Sequence, residues 1–341
     1  MRVTKDSLLR IAKETVQERA YNDSNIIAAY LTGSLLTEDP MLGGTADIDL
    51  VFVHKTQPKI KREFKKLTPD FHLDMIHRVK DEFKSPRELR GNPWLGYEMY
   101  APMLLYEREK FFDFVQSSLR AGFEFEQPAL TLQRCKNLLS TARKIWFEFS
   151  EHEDEVTPKE INLYLQSLYH AINAIAELNG APIQERRLLI EFPARAEMLQ
   201  KQNMVASVYQ LLGANKTNAE QIKTWHADWK SAFKIASENT NVDERINATR
   251  LNYYDKAIKS MLDGETPLSC LWLLLHTWTL SSLTLSGDHL KFWQNACTSL
   301  GLISDGFNEY VQGLDHFLDE IEILLEEFAN ANALDDDSTG L

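Results

Sequence analysis

The chain has 341 residues, 44% of them apolar, which is enough to bury a substantial core and predicts two domains. Lys and Arg total 37 against 50 Asp and Glu, a formal charge of −13 that argues against a nucleic-acid partner and favours a cationic or small-molecule one. The most hydrophobic run, Leu268 to Leu280, carries His276, Thr277 and Thr279 and is shorter than the ~20 apolar residues a bilayer demands, so no membrane partner is expected.

In chain order, MRVTKDSLLRIAKETVQERA has scattered charges and no uninterrupted apolar run. It reads as a first helix rather than a secretory signal, and the expected location is the cytoplasm. Short apolar and β-branched stretches at Ile26 to Leu31, Asp47 to His54, Phe71 to Arg78 and Met103 to Tyr106 predict a small mixed sheet. Between them EDPMLGGT has loop composition, and Lys59 to Leu67 and Pro86 to Tyr100 are expected as short helices. Past about residue 108, apolar residues recur at three- and four-residue intervals and the rest reads as all-helical. SEHEDEVTP is a polar break before INLYLQSLYHAINAIAELNG, a helix with its stop signal at Gly180; further helices are expected around 186–201, 203–212, 218–238, 245–263, 267–285, 288–299 and 305–330. The expected division is 1–115, a helical domain 116–330 and a disordered acidic tail 331–341. Cys135, Cys270 and Cys297 are widely spaced without zinc-like pairing, which predicts buried reduced thiols.

The stretch that carries chemistry is Leu31 to Val53, LTGSLLTEDPMLGGTADIDLVFV. A strand runs into Gly33 and Ser34, where a missing side chain and a hydroxyl suit a phosphate, and a helix starting there would direct its positive end at the anion. Strand alternation puts Asp47 and Asp49 on one face. Two adjacent carboxylates repel, and a divalent cation is their usual partner, Mg²⁺ preferring a few carboxylates with water and phosphate oxygens. Asp74, on a later strand, can stand beside the pair as proton acceptor or as bridge to a second ion.

This order of GS, spacer, DxD opening a strand and a later strand Asp resembles the DNA polymerase β-like nucleotidyltransferase superfamily over residues 26–78. The helical second part and the acidic balance look more like the bacterial aminoglycoside and related small-molecule nucleotidyltransferases than like polymerases. The resemblance implies an α+β chain, an N-terminal nucleotidyltransferase fold of a small mixed sheet flanked by helices, followed by an all-α bundle. It implies that Gly33 and Ser34 hold a triphosphate and that Asp47, Asp49 and Asp74 are catalytic metal ligands for Mg²⁺ or Mn²⁺. ATP or another NTP is then the co-substrate, and AMP passes to a hydroxyl of a small molecule with release of pyrophosphate. Ala46 departs from the Ser that relatives often carry before the first Asp. The alternatives are a protein acceptor, as in the antitoxin-like minimal nucleotidyltransferases paired with HEPN toxins, and a catalytically silent nucleotide-binding or assembly protein. The Arg-to-His ribonuclease motif of HEPN proteins is missing from the helical part.

Other residues compete with plainer fates. His170, Asn173 and Glu177 share one helix face and can line an acceptor cleft, or form interhelical hydrogen bonds. Arg186, Arg187, Arg143 and Lys144 can meet phosphate or make surface ion pairs. Trp94, Tyr97 and Tyr100 can stack on a base or pack, while Trp272, His276 and Trp278 read as core. His54 and His77 lie at strand ends near the proposed site.

Overall fold

A computed structural model describes residues 3–121, 123, 127–150, 156–303 and 306–334. Residues 335–341 of the expected acidic tail and 151–155 of the expected polar break lie outside them. The chain divides into two compact units, Met1–Gln127 and Pro128–Leu341.

The first unit opens with α1 (Lys5–Asn22), capped reciprocally by Thr4 and Ser7. Its buried residues Leu8, Ala12, Val16 and Ala20 recur every fourth position, a single apolar stripe. Five strands follow: β1 (Ile26–Thr32), β2 (Ala46–His54), β3 (Arg62–Lys66), β4 (Phe71–Val79) and β5 (Met103–Glu107), in the sheet order β3-β4-β2-β1-β5. β2 and β4 are parallel and every other neighbouring pair is antiparallel. The stripe of α1 packs on one face with Leu31, Ile48, Leu50, Phe52, Leu73 and Met75. Three short helices, α2 (Pro86–Gly91), α3 (Leu95–Tyr100) and α4 (Phe111–Arg120), pack on the other, where Leu89, Met99, Phe112, Val115 and Leu119 meet Ala28, Tyr30, Val51 and Val53. That burial is why α4, placed astride the expected 115/116 boundary, belongs wholly to the first unit.

One element differs in kind. Lys59 to Leu67, expected as a helix, contains β3 instead. Four of the five residues in REFKK are charged, so a helix there has no apolar stripe to bury. The open edge of β4, by contrast, offers backbone groups to pair with, and the exposed lysines of β3, Lys65 and Lys66, suit an edge strand.

The second unit is helical: α5 (Pro128–Ser150), α6 (Pro158–Ala176), α7 (Leu188–Met198), α8 (Gln202–Leu211), α9 (Ala219–Ala236), α10 (Leu251–Leu262), α11 (Leu271–Ser282), α12 (Gly287–Leu300) and α13 (Phe307–Ala331). α6 starts with Thr157 as N-cap, Pro158 in its first turn and Glu160 bonding back to the Thr157 N–H. All twelve residues of α11 are buried, as an all-round apolar helix requires. It carries Trp272 and Trp278, and from neighbouring helices Trp229 and Trp293 donate their indole N–H groups to its Thr277 and Thr279. The three cysteines are buried and unpaired, and burial pushes their thiols above the ordinary range. Gly180, the expected helix stop, has extended backbone; a side chain there would collide with the Arg195 guanidinium, so close approach explains the glycine. Among the described residues no helix is long and apolar enough to cross a membrane.

Candidate active site

β1 delivers the chain to Gly33, whose φ of 78° and ψ of −161° lie in a region open almost only to glycine. A side chain at Gly33 would overlap the Asp49 carboxylate. Glycine is thus required twice, by the backbone and by the neighbouring acid. Ser34–Leu36 forms a single 3-10 turn, closed because both the backbone N–H and the hydroxyl of Thr37 donate to the Ser34 carbonyl. The helix expected to begin here and direct its dipole at an anion is therefore not formed. What the turn leaves is the Ser34 hydroxyl, buried and without a hydrogen-bond partner among the described residues.

The intervening loop ends in Gly43 and Gly44, both at positive φ, between Leu42 and Thr45, which pair as an isolated antiparallel bridge. Two such residues are what a tight two-residue hairpin turn needs, and the turn feeds directly into β2. Asp47 and Asp49 then project from the same face of β2. The parallel register aligns Asp47 with His72 and Asp49 with Asp74, so Asp74 joins that face. One carboxylate oxygen from each of Asp47, Asp49 and Asp74 lies within 4.8 Å of the others. Asp47 and Asp74 are 4% and 1% exposed and Asp49 is half-buried, so the cluster is enclosed yet reachable from one side. Ala46 turns to the opposite face and packs in the core with Ile48, where a serine hydroxyl would not face these acids.

Sequence reasoning missed the residues that complete this face. Arg62 of β3 grips Asp74 with two hydrogen bonds, Nε to Oδ1 at 2.8 Å and Nη2 to Oδ2 at 2.6 Å. Its guanidinium also lies over the Phe64 ring, 5.1 Å from the centroid. His72 is buried on the same face, 6.2 Å from the Phe64 ring between centroids. With Lys59 to Leu67 taken as a helix, nothing in the sequence aims Arg62 at Asp74; only the antiparallel register of β3 on β4 does so.

The other expected contacts fall elsewhere. His54 and His77 occupy the opposite face, at the far end of the strands, and bond to each other at 2.9 Å. His77 also bonds Glu63, and burial, then the neighbouring His77, holds the His54 imidazole below its ordinary range. In the helical unit, Asn173 and Glu177 are fully buried struts rather than cleft residues. Asn173 accepts from the Ile183 N–H at 2.6 Å, and Glu177 accepts from Arg134 Nε at 2.7 Å. His170 is half-buried, its imidazole lowered by burial. Arg186 stacks on Tyr253 at 3.7 Å, Arg187 pairs with Glu191, and Arg143 meets Asp315, Asp319 and Glu322. Tyr97 and Tyr100 pack on Phe123, and Trp272, His276 and Trp278 are core.

No protein-family model and no curated protein matches the chain. Among solved structures, it is similar to the nucleotidyltransferase-like protein from Exiguobacterium sibiricum 255-15 at 10% identity and a TM-score of 0.27, over 91% of this chain and 90% of that one. A likeness that loose carries no argument about function.

Proposed function

We propose that the chain is a divalent-metal-dependent nucleotidyltransferase that moves a nucleoside monophosphate, AMP from ATP in the first instance, to a hydroxyl of a small molecule. The observation that carries this reading is the convergence of Asp47, Asp49 and Asp74, with Gly33 set against the Asp49 carboxylate and followed in the chain by Ser34, whose buried hydroxyl has no hydrogen-bond partner among the described residues. Three carboxylates offer the hard oxygen donors that Mg²⁺ or Mn²⁺ takes, and an enclosed cluster of like charges fits a divalent ion. When bound, such an ion neutralises phosphate charge and lowers the pKa of a coordinated hydroxyl.

The protein's own groups have distinct tasks. Asp47 and Asp49 would hold the ion that accompanies a triphosphate, and Ser34 would donate to a phosphate oxygen. Asp74, oriented by Arg62, stands as proton acceptor for the incoming hydroxyl. The acceptor oxygen bonds to the α-phosphorus as the bond from that phosphorus to the bridging oxygen breaks, pyrophosphate leaves with the electron pair, and the hydroxyl proton passes to Asp74.

One observation favours a second reading. Both oxygens of Asp74 are engaged by Arg62, as suits a silent nucleotide-binding protein whose third acid is structural. Incubation with α-labelled NTPs and Mg²⁺ or Mn²⁺, scored for pyrophosphate release with a panel of small hydroxyl compounds and of proteins, separates the two. Release that depends on the metal and on Asp47 supports transfer, and a protein that takes up label identifies a protein acceptor. Calorimetry showing equal NTP affinity with Mg²⁺ and with excess EDTA would refute the metal-dependent reading.

A further inference from the structure

On the other face of the sheet from the acidic cluster, a hydrogen-bond chain crosses the far end of the strands. Asn25, between α1 and β1, places Nδ2 3.4 Å from His54 Nδ1. His54 Nε2 lies 2.9 Å from His77 Nδ1, and His77 Nε2 lies 3.1 Å from Glu63 Oε1 of β3. Arg19 of α1 closes the chain, donating to Glu63 Oε2 at 3.1 Å. Both ends fix its direction. Asn25 Oδ1 accepts from the Thr56 N–H at 3.0 Å, so the atom facing His54 is the amide nitrogen and His54 Nδ1 accepts. At the other end the Glu63 carboxylate can only accept, so His77 Nε2 donates. Each neutral imidazole therefore carries its proton on Nε2, and His54 donates to His77.

All four ring nitrogens are thus in use, and a further proton breaks a link wherever it lands. On His54 Nδ1 it meets the Asn25 amide N–H. On His77 Nδ1 it meets the His54 Nε2–H, unless His54 moves its own proton to Nδ1, where it meets the same amide. The bond between the two imidazoles survives only with an N–H on His54 Nδ1. Asp23, just past α1, has Oδ2 3.8 Å from that nitrogen. Of the other charged groups nearby, Lys55 pairs with Glu109 and Arg19 with Glu63. We infer that His54 is a pH-sensitive switch: neutral, it accepts from Asn25 and ties the start of β1 to the ends of β2 and β4; protonated, it leaves Asn25 and pairs with Asp23. Burial, then His77, holds the His54 imidazole below its ordinary 6.5, so the folded protein takes up this proton at lower pH than the unfolded chain. The stability that the closed chain contributes is therefore full above pH 6.5 and is lost as the pH falls below it.

The test is nitrogen-15 magnetic resonance of the imidazoles in the full chain. At about pH 7.5 both rings should show a proton on Nε2 and a bare Nδ1. On acidification His54 should gain its proton on Nδ1, with a midpoint below 6.5. Asn25→Ala removes the amide donor and should raise that midpoint by roughly half a pH unit. Asp23→Asn keeps the acceptor for the Asn25 N–H but removes the charge, and should lower the midpoint by roughly the same amount. Thermal melts give a second readout: between about pH 7.5 and about pH 5.5 wild type should lose more stability than His54→Gln, whose amide can accept from Asn25 and donate to His77 without titrating. An Nδ1 proton on either ring at neutral pH, a wild-type His54 midpoint at or above 6.5, an unmoved midpoint in Asn25→Ala, or equal losses in the two melts overturns the inference. If Asn25→Ala loses its far-ultraviolet dichroism, the wild-type ring protons and the Asp23→Asn midpoint decide: Nε2 protons on both rings with a lowered midpoint support the switch, and any other result refutes it.

Discussion

Gly33→Ala adds one carbon at the point where the backbone and the acidic cluster meet. Two effects follow from the structure. The φ of 78° and ψ of −161° become strained for any residue with a side chain, a cost of about 1–3 kcal/mol. The new methyl carbon would also stand 2.7 Å from Asp49 Cγ, roughly 0.8 Å inside the ~3.5 Å of ordinary carbon contact. Asp49 cannot stay where it is. A displacement near 1 Å at a reacting centre costs on the order of 10²-fold in rate, so turnover should fall by about that factor, and we expect Mn²⁺ affinity to drop at least about tenfold. The strain alone should lower the melting temperature by roughly 5–15 °C for a unit of this size. Gly44→Ala is the control: Gly44 also has positive φ, at 71°, but an added carbon there meets nothing within 4 Å. It should melt lower yet bind Mn²⁺ normally. The measurements are calorimetric titration with Mn²⁺ and thermal melts of both variants beside wild type. If Gly33→Ala binds Mn²⁺ as Gly44→Ala does, the overlap with Asp49 is relieved without disturbing the site and the reasoning fails.

Asp47→Asn and Asp49→Asn should weaken both NTP and metal binding, whereas Asp74→Asn should keep NTP binding and lose about 10²–10⁴-fold in transfer, as expected for a lost general base; near-normal turnover in Asp74→Asn would remove it from that role. Asp74→Asn should also melt below wild type because Arg62 is left without its carboxylate. In the helical unit, burial raises the Glu177 carboxyl from its ordinary 4.5 to about 8 despite the neighbouring Arg134. The folded state then holds a proton that the unfolded chain releases, so this contribution to stability is full below pH 4.5 and is lost as pH rises through about 8. Melts of wild type and Glu177→Gln between pH 4.5 and 8 check this, and equal slopes in the two would contradict it. Trp229→Phe removes the buried indole donor to Thr277, at 2.8 Å, and chemical denaturation should show a loss of about 1–3 kcal/mol.

The sequence alone located four of the five strands, because Ile26 to Leu31, Asp47 to His54, Phe71 to Arg78 and Met103 to Tyr106 are short, apolar and bounded by turn residues. The helical half was equally legible from its periodicity. β3 was not, since a run of mostly charged residues has no pattern of its own and becomes a strand only because β4 has an open edge. The same gap hid Arg62 and Phe64, whose place beside Asp74 depends on strand order. Asn173 and Glu177 show the opposite limit. Their helical spacing identified a shared face, but whether that face meets solvent or other helices depends on packing, and here it meets Ile183 and Arg134. The three carboxylates came together because alternation in β2 and the parallel register with β4 both act at the level of the backbone.

That register ties the chemistry to the folding reaction. A slip of β4 by one residue against β2 would turn Asp74 into the apolar layer under α1 and bring Leu73 out among the acids, exchanging a core leucine for a buried charge. The misaligned sheet is therefore penalised on both faces at once, and a molecule that has completed its core has also completed its acidic cluster. Crowded carboxylates oppose that last alignment, so divalent ions should act on this protein as folding ligands as well as reaction partners, slowing unfolding of the sheet before any nucleotide is present.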